Sequence, residues 1–188
     1  MKIVRMDENN AHLLNTLDAR HLVSEVAALR LARGGFSLEY KPLASSVWRR
    51  AAENEQITAE GFLGRRDRDV FFGYLDGALC GQMVLAQNWN QMALVLDVRV
   101  DIPARRKGLG RELMDVAMDW AGLHGMEGVM VETQDANPAA CQFLEHCGFT
   151  LAGVDCMLYA GLARKSEKAS PLLDSALFYY KMIRPEGK

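Results

Sequence analysis

The chain has 188 residues, 49% of them hydrophobic and 24% charged, which fits one ordinary domain and sets disorder aside as the default state. Its 22 Lys+Arg against 24 Asp+Glu give a formal charge of −2, the wrong balance for a protein that coats nucleic acid or an anionic membrane, so neither is expected as a partner. The longest aliphatic run, residues 92–96, is far short of the ~20 residues of a membrane span, and the start MKIVRMDENN turns polar at once; the expectation is a soluble, cytoplasmic, single domain over residues 1–188.

Residues 2–5 read as a short strand. Apolar residues between 12 and 17, and again between 22 and 31, recur at helical spacings and predict two helices, the second stopped by Gly34-Gly35. Residues 37–68 are polar and punctuated by Pro42, Gly61 and Gly64, which predicts an irregular segment with a short helix around residues 46–55. A clear antiparallel meander follows. Strands are expected at 70–76, 78–87 and 91–100, joined by turns at Asp76-Gly77 and Asn88-Trp89-Asn90. Pro103 ends it, and residues 107–124 form a helix with Leu109, Leu113, Val116 and Trp120 on one face. A buried strand at 128–133 leads to a helix at 138–146, with Asn137 as N-cap and Pro138 at the first helical position. Strands at 149–159 and 176–183 close the chain. The order predicts an α/β domain with a mixed, mostly antiparallel central sheet flanked by helices.

Cys80, Cys141, Cys147 and Cys156 include no C-x-x-C pair, and the four histidines are scattered. Cys141, His146 and Cys147 lie close together but do not supply four ligands at paired spacings. Free thiols in a reducing compartment are the expectation, and no metal.

The chemistry sits where the third meander strand meets the long helix, in Val98-Arg99-Val100-Asp101-Ile102-Pro103-Ala104-Arg105-Arg106-Lys107-Gly108-Leu109-Gly110-Arg111. The first N–H groups of a helix lack intrahelical acceptors, and its dipole is positive there. Gly108 and Gly110 remove side chains from the approach, while Arg105, Arg106, Lys107 and Arg111 add positive charge. Such a turn can cradle a phosphate or pyrophosphate, or it can be a plain helix start with solvated charges. Neither the G-x-x-x-x-G-K-[ST] nor the G-x-G-x-x-G pattern is present.

Arg105-x-x-Gly108-x-Gly110, set between strand and helix, resembles the [Q/R]-x-x-G-x-[G/A] motif of the GNAT superfamily of N-acetyltransferases. A second likeness lies in Glu132-Thr133-Gln134-Asp135-Ala136-Asn137-Pro138-Ala139-Ala140, followed by Phe143 and Cys147-Gly148-Phe149. Together they cover a motif-bearing core of residues 70–183. Within the superfamily the chain is most similar to the streptothricin acetyltransferases. Gly81 to Leu85 with Asn88-Trp89-Asn90, Leu96 to Asp101, residues 132–137 and Ala176-Leu177-Phe178-Tyr179-Tyr180-Lys181 carry that likeness.

The resemblance implies acetyl-CoA as co-substrate, in a cleft where two central strands splay apart. The backbone of Val98 and Val100 would pair with the pantetheine amides. Backbone N–H groups from Arg106 through Arg111 would hold the pyrophosphate, and Asn137 either the pantetheine arm or only its own helix. The acceptor implied is a small cationic amine, a streptothricin-type antibiotic, whose acetylation would confer resistance. Attack would be direct, with no acyl-enzyme. An alkyl ammonium of pKa near ~10 must lose a proton first, and Asp97 and Glu132 are the candidate acceptors. The alternative is that Asp97 only holds Arg99 or a neighbouring turn, and Glu132 carries the same alternative. The family often places a tyrosine seven residues after the asparagine to protonate the thiolate; here that position is Leu144. Tyr159, Tyr179 or Tyr180 could substitute, or water could protonate the thiolate, and no tyrosine is assigned the role. An N-terminal protein acetyltransferase and a non-catalytic acyl-CoA-binding module stay open as alternatives, as does a homodimer.

Overall fold

The computed structural model describes residues 1–18, 20–50, 57–159 and 175–183. In chain order its elements are β1 (Lys2–Arg5), a 3-10 turn at Ala11–Leu13, β2 (Arg20–Ala32), β3 (Gly35–Arg50), α1 (Ala59–Phe62), β4 (Arg68–Leu75) and β5 (Ala78–Gln87). Then come β6 (Met92–Val100), a 3-10 turn at Ile102–Ala104, α2 (Leu109–Leu123), β7 (Gly128–Gln134), α3 (Pro138–His146), β8 (Thr150–Asp155) and β9 (Ala176–Met182). The fold class is α/β with a mixed, mostly antiparallel sheet. The chain clusters into two compact units, residues 1–20, 50–130 and 182–188 in the first and 21–49 and 131–181 in the second. All four crossings between them fall inside strands, whereas domain boundaries normally fall in exposed linkers.

In the first unit β1, β4, β5 and β6 run antiparallel in that spatial order. The β4–β5 hairpin turns on Asp76 and Gly77, both at positive φ (49° and 84°), the geometry that matches strand twist. One face of this sheet carries Val70, Phe72 and Val84, packed with Met6, Ile57 and Phe62. The other face receives α2, whose Leu109, Leu113, Ala117, Trp120 and Ala121 are buried. Gly73 and Gly81, opposite each other in the register, make that approach possible. A Cβ on Gly73 would lie 2.7 Å from Leu109 Cδ1, and one on Gly81 3.0 Å from Leu109 Cδ2 and 3.1 Å from Leu113 Cδ1. The two glycines thus set how closely the first turn of α2 sits on the sheet.

The second unit contains the β2–β3 ribbon, α3 and the strand order β7–β9–β8. Helix α3 has the bounds its sequence predicts. Asn137 Oδ1 accepts from Ala140 N at 3.3 Å, Pro138 occupies the first turn, and Cys141 and Leu144 are buried. At its other end Lys181 Nζ donates to Cys147 O at 2.8 Å, a cation at a helix C-terminus.

Two expectations fail here. The helices expected at residues 12–17 and 22–31 are absent: the first is only the Ala11–Leu13 turn, and the second is strand β2. Val23 and Ala27 are buried while Leu22, Ser24 and Arg30 are exposed, an alternation of period two. Apolar residues on both faces of this strand produced the helical spacing by coincidence. Gly34-Gly35 belongs to a hairpin turn, with φ of +107° and +140°, and does not terminate a helix. Residues 37–50 are accordingly strand, not an irregular segment, and Pro42 sits in it exposed. Of the helix expected at 46–55, residues 46–50 are strand and 51–56 lie outside the described residues.

Candidate active site

The β6–α2 turn in the first unit is built in three steps. Strand β6 carries a bulge, since Val84 pairs with Asp97 and Leu85 with Val95, leaving Leu96 over. Beyond it Asp97 and Arg99 share the face of Gln82, while Val98 and Val100 share the α2 face with Met83 and Gly81. Asp101 N donates to Cys80 O at 2.8 Å, so Arg99 also turns its backbone polar groups toward β5. By alternation the backbone groups of Val98 and Val100 point away from β5.

After β6, Asp101 Oδ1 caps the Ile102–Ala104 turn. Arg106 (φ 64°) and Gly108 (φ 89°) are both left-handed and flank Lys107. Left-handed residues in such a turn can bring successive backbone N–H groups toward one concavity. Gly108 is the N-cap of α2 and offers no side-chain cap; Leu109 and Gly110 bring N–H groups with no intrahelical acceptor. Arg106, Lys107, Gly108 and Arg111 are exposed around it.

Arg105 is committed elsewhere. Its Nε donates to Val100 O at 2.9 Å and its Nη2 to Arg20 O at 2.9 Å, so it staples the turn to the end of β6 and the start of β2. Asp97 is also engaged on both oxygens: Arg99 Nε reaches Oδ1 at 2.9 Å, and Gln82 Nε2 reaches Oδ2 at 2.7 Å. Gln82 is fully buried, donates to Asn15 Oδ1 at 3.1 Å and accepts from Asn15 N at 2.8 Å; Asn15 Nδ2 then donates to Ile57 O at 3.1 Å. Five residues of four chain segments form one satisfied polar network. Gln82 and Asn15 were not singled out by sequence reasoning; a positive φ of 62° at Asn15 and a glutamine within an apolar strand are the signals that mark them.

In the second unit Glu132 lies exposed on β7 and accepts a hydrogen bond from Tyr159 Oη through Oε1. Asn137 is half-buried at the start of α3, its Oδ1 used in capping. Leu144 is buried, 1% exposed. Tyr179 is fully buried and donates to Glu145 Oε1 at 3.2 Å, and Tyr40 donates to both Glu145 oxygens at 3.1 Å. Burial first, then neighbouring Glu145 and Cys141, push both phenols well above the usual tyrosine value. Burial also pushes the Cys141 thiol up to about 12, which leaves it protonated and inert at neutral pH. Among the described residues no group of three or more His, Cys, Asp or Glu is arranged to hold a metal ion, and no helix is long and apolar enough to cross a membrane.

A model of the acetyltransferase (GNAT) family matches residues 36–149. A streptothricin acetyltransferase of Escherichia coli is 29% identical over 182 residues, 96% of this chain and 95% of that protein. Streptothricin acetyltransferase A of Bacillus subtilis (strain 168) is 33% identical over 120 residues, which cover 64% of this chain and 66% of the relative. Among solved structures, a Bacillus anthracis protein provisionally assigned as a streptothricin acetyltransferase, crystallised with acetyl coenzyme A, superposes with a TM-score of 0.83 at 27% identity over 97% of each chain. The family motifs therefore stand on the fold that carries them, and the chain belongs to the GNAT acetyltransferases, an N-acetyltransferase by enzyme class.

Proposed function

We propose that the protein transfers the acetyl group of acetyl-CoA directly to a primary amine of a small cationic molecule of the streptothricin type, conferring resistance to it. The observation that carries this reading is the match along 96% of the chain to a streptothricin acetyltransferase at 29% identity. The β6–α2 turn fits the co-substrate: a left-handed Gly108 with no Cβ, uncapped N–H groups and exposed cations suit a pyrophosphate. Backbone N–H groups across residues 106–111 would hold it, Val98 and Val100 would pair with the pantetheine amides, and Asn137 would meet the same arm. Arg105 supports the turn from behind through Val100 O and Arg20 O.

Acetyl-CoA supplies an activated acyl carbon, and the chain has to place an uncharged amine against it. Since an alkyl ammonium has a pKa near ~10, most acceptor molecules arrive protonated at pH 7. Asp97 and Glu132 are the carboxylates proposed to draw a cationic acceptor, and Glu132 is the one proposed to relieve it of a proton. The test is CoA thiol release from acetyl-CoA with purified protein and streptothricin, against a blank without acceptor. Acceptor-dependent release with an acetylated product in the mass spectrum supports the reading; release no faster than the blank refutes the acceptor. A second reading, a non-catalytic acyl-CoA-binding module, is favoured only by Leu144 at the position of the family's acid. It predicts acetyl-CoA binding with no release for any amine.

A further inference from the structure

We propose that Glu132 and Tyr159 act as one proton relay, with Tyr159 supplying the thiolate proton that a leucine at position 144 cannot supply. The proposal rests on the acetyl-transfer reading above. Leu144 is a buried hydrocarbon and offers no proton. Tyr40 and Tyr179 are bound to Glu145, remote in role from either candidate base, and burial makes both hold their protons tightly. Tyr159 is the phenol that the structure joins to a candidate base, its hydroxyl donating to Glu132 Oε1 while Glu132 stays exposed to an arriving acceptor.

The two carboxylates divide the work. Asp97 has donors on both oxygens, Arg99 Nε at 2.9 Å and Gln82 Nε2 at 2.7 Å. With both oxygens held by these donors, Asp97 serves as a positioning residue. Among the described residues Glu132 has one oxygen engaged, by Tyr159, which leaves Oε2 for the acceptor.

In the step proposed, the ammonium proton has already left to solvent by way of Glu132, the neutral amine nitrogen bonds to the acetyl carbon and the C–S bond breaks. The proton shed by the adduct nitrogen passes to Glu132, and the Tyr159 hydroxyl proton passes to the leaving sulfur. Glu132 then returns its proton to the Tyr159 oxygen, so both groups end as they began and the thiol leaves neutral. Coupling is what makes the phenol useful. Protonating a thiolate of pKa near ~8.5 from a phenol near ~10 is uphill by about 30-fold on its own, whereas a carboxylic acid reprotonates a phenolate with several units to spare.

Kinetics of Glu132→Gln, Tyr159→Phe and the double variant test this, using the whole chain, acetyl-CoA and streptothricin, with Tm measured for each. Each single change is expected to lower kcat about 100-fold with KM for acetyl-CoA nearly unchanged. The double variant should then be no slower than the slower single variant, because members of one relay are not additive. Tyr159→Phe at full kcat with unaltered Tm overturns the proposal, and so do single effects that multiply in the double variant. A wild-type chain that releases no CoA with streptothricin overturns the acetyl-transfer reading beneath it, an outcome distinct from an active wild type matched by its variants. Should Tyr159→Phe lower Tm, Tyr159→Trp restores the bulk without a phenol, and full kcat in that variant likewise refutes the relay.

Discussion

Replacing Gly81 by alanine tests whether the close seat of α2 governs the β6–α2 turn. The new methyl would sit 3.0 Å from Leu109 Cδ2 and 3.1 Å from Leu113 Cδ1, against a comfortable carbon–carbon separation of about 3.5–4.0 Å. Both leucines are buried, at 1% and 0% exposure, so neither has space to retreat into. Overpacking of this kind costs about 1–3 kcal/mol, partly offset by about 0.5–1 kcal/mol from the lost flexibility of glycine in a strand. A net loss of about 1–2 kcal/mol follows, or roughly 2–8 °C in Tm for a domain of this size. Relief comes by lifting the first turn of α2, the one that begins at Gly108, so acetyl-CoA affinity should fall about three- to tenfold, a shift of similar energy. Thermal denaturation and isothermal titration read the two effects. Leu109→Ala in the same background should recover part of the stability, since the methyl then fills space vacated by the leucine. Unchanged Tm together with unchanged affinity would show that the glycine pair does not set the helix position.

Gly108→Glu places a Cβ at a φ of +89° and a negative charge at the mouth of the turn, so acetyl-CoA binding should be lost in titration calorimetry; unaltered affinity removes this turn from the site. Asp97→Asn strips the charge partner from Arg99, whose side chain is 9% exposed, and should cost about 3 kcal/mol, seen as a Tm drop of several degrees with acetyl-CoA affinity nearly intact. Leu144→Tyr should lower Tm and fail to raise turnover, because a 1% exposed site has no volume for a phenol; a gain in kcat would refute the packing argument. Stability should also fall with alkali. The folded Cys141 pKa is raised to about 12 from 9.0, so its contribution is complete below pH 9 and is lost as pH rises toward about 12. Buried Tyr179 adds to the same slope from pH 10 upward, and Cys141→Ala should flatten the part that begins at pH 9 in a pH series of melts.

Where local rules act alone, the sequence predicts the structure closely. Strands β1 and β5 and helix α3 have their expected bounds, because a tight-turn pair, a cap and a proline mark their ends. The β2–β3 ribbon was misread because valine, alanine and leucine occur on both of its faces, and the three- and four-residue spacings of a helix then arise by chance. Glycines at 34 and 35 can end a helix or turn a hairpin, and only the neighbouring pairing decides. The β6–α2 turn was legible for the opposite reason. Two glycines and four cations within seven residues, 105–111, leave few conformations and one charge sign to read.

What distance along the chain hides is which of those charges face outward. Arg105 and Asp97 look like ligand-binding groups in sequence, yet each is held by partners far away: Arg105 by Arg20 O, 85 residues off, and Asp97 through Gln82 by Asn15, a further 67 residues from Gln82. Neither partner carries a motif. A half-buried arginine that ties two carbonyls and a half-buried carboxylate that ties two donors cannot also reorganise around a substrate without giving up those hydrogen bonds. Their contribution to binding is therefore indirect, through the shape of the turn and of β6. On the proposed reading, the groups left to meet the ligands are Arg106 and Lys107 for acetyl-CoA and Glu132 with Tyr159 for the acceptor, all exposed or half-exposed.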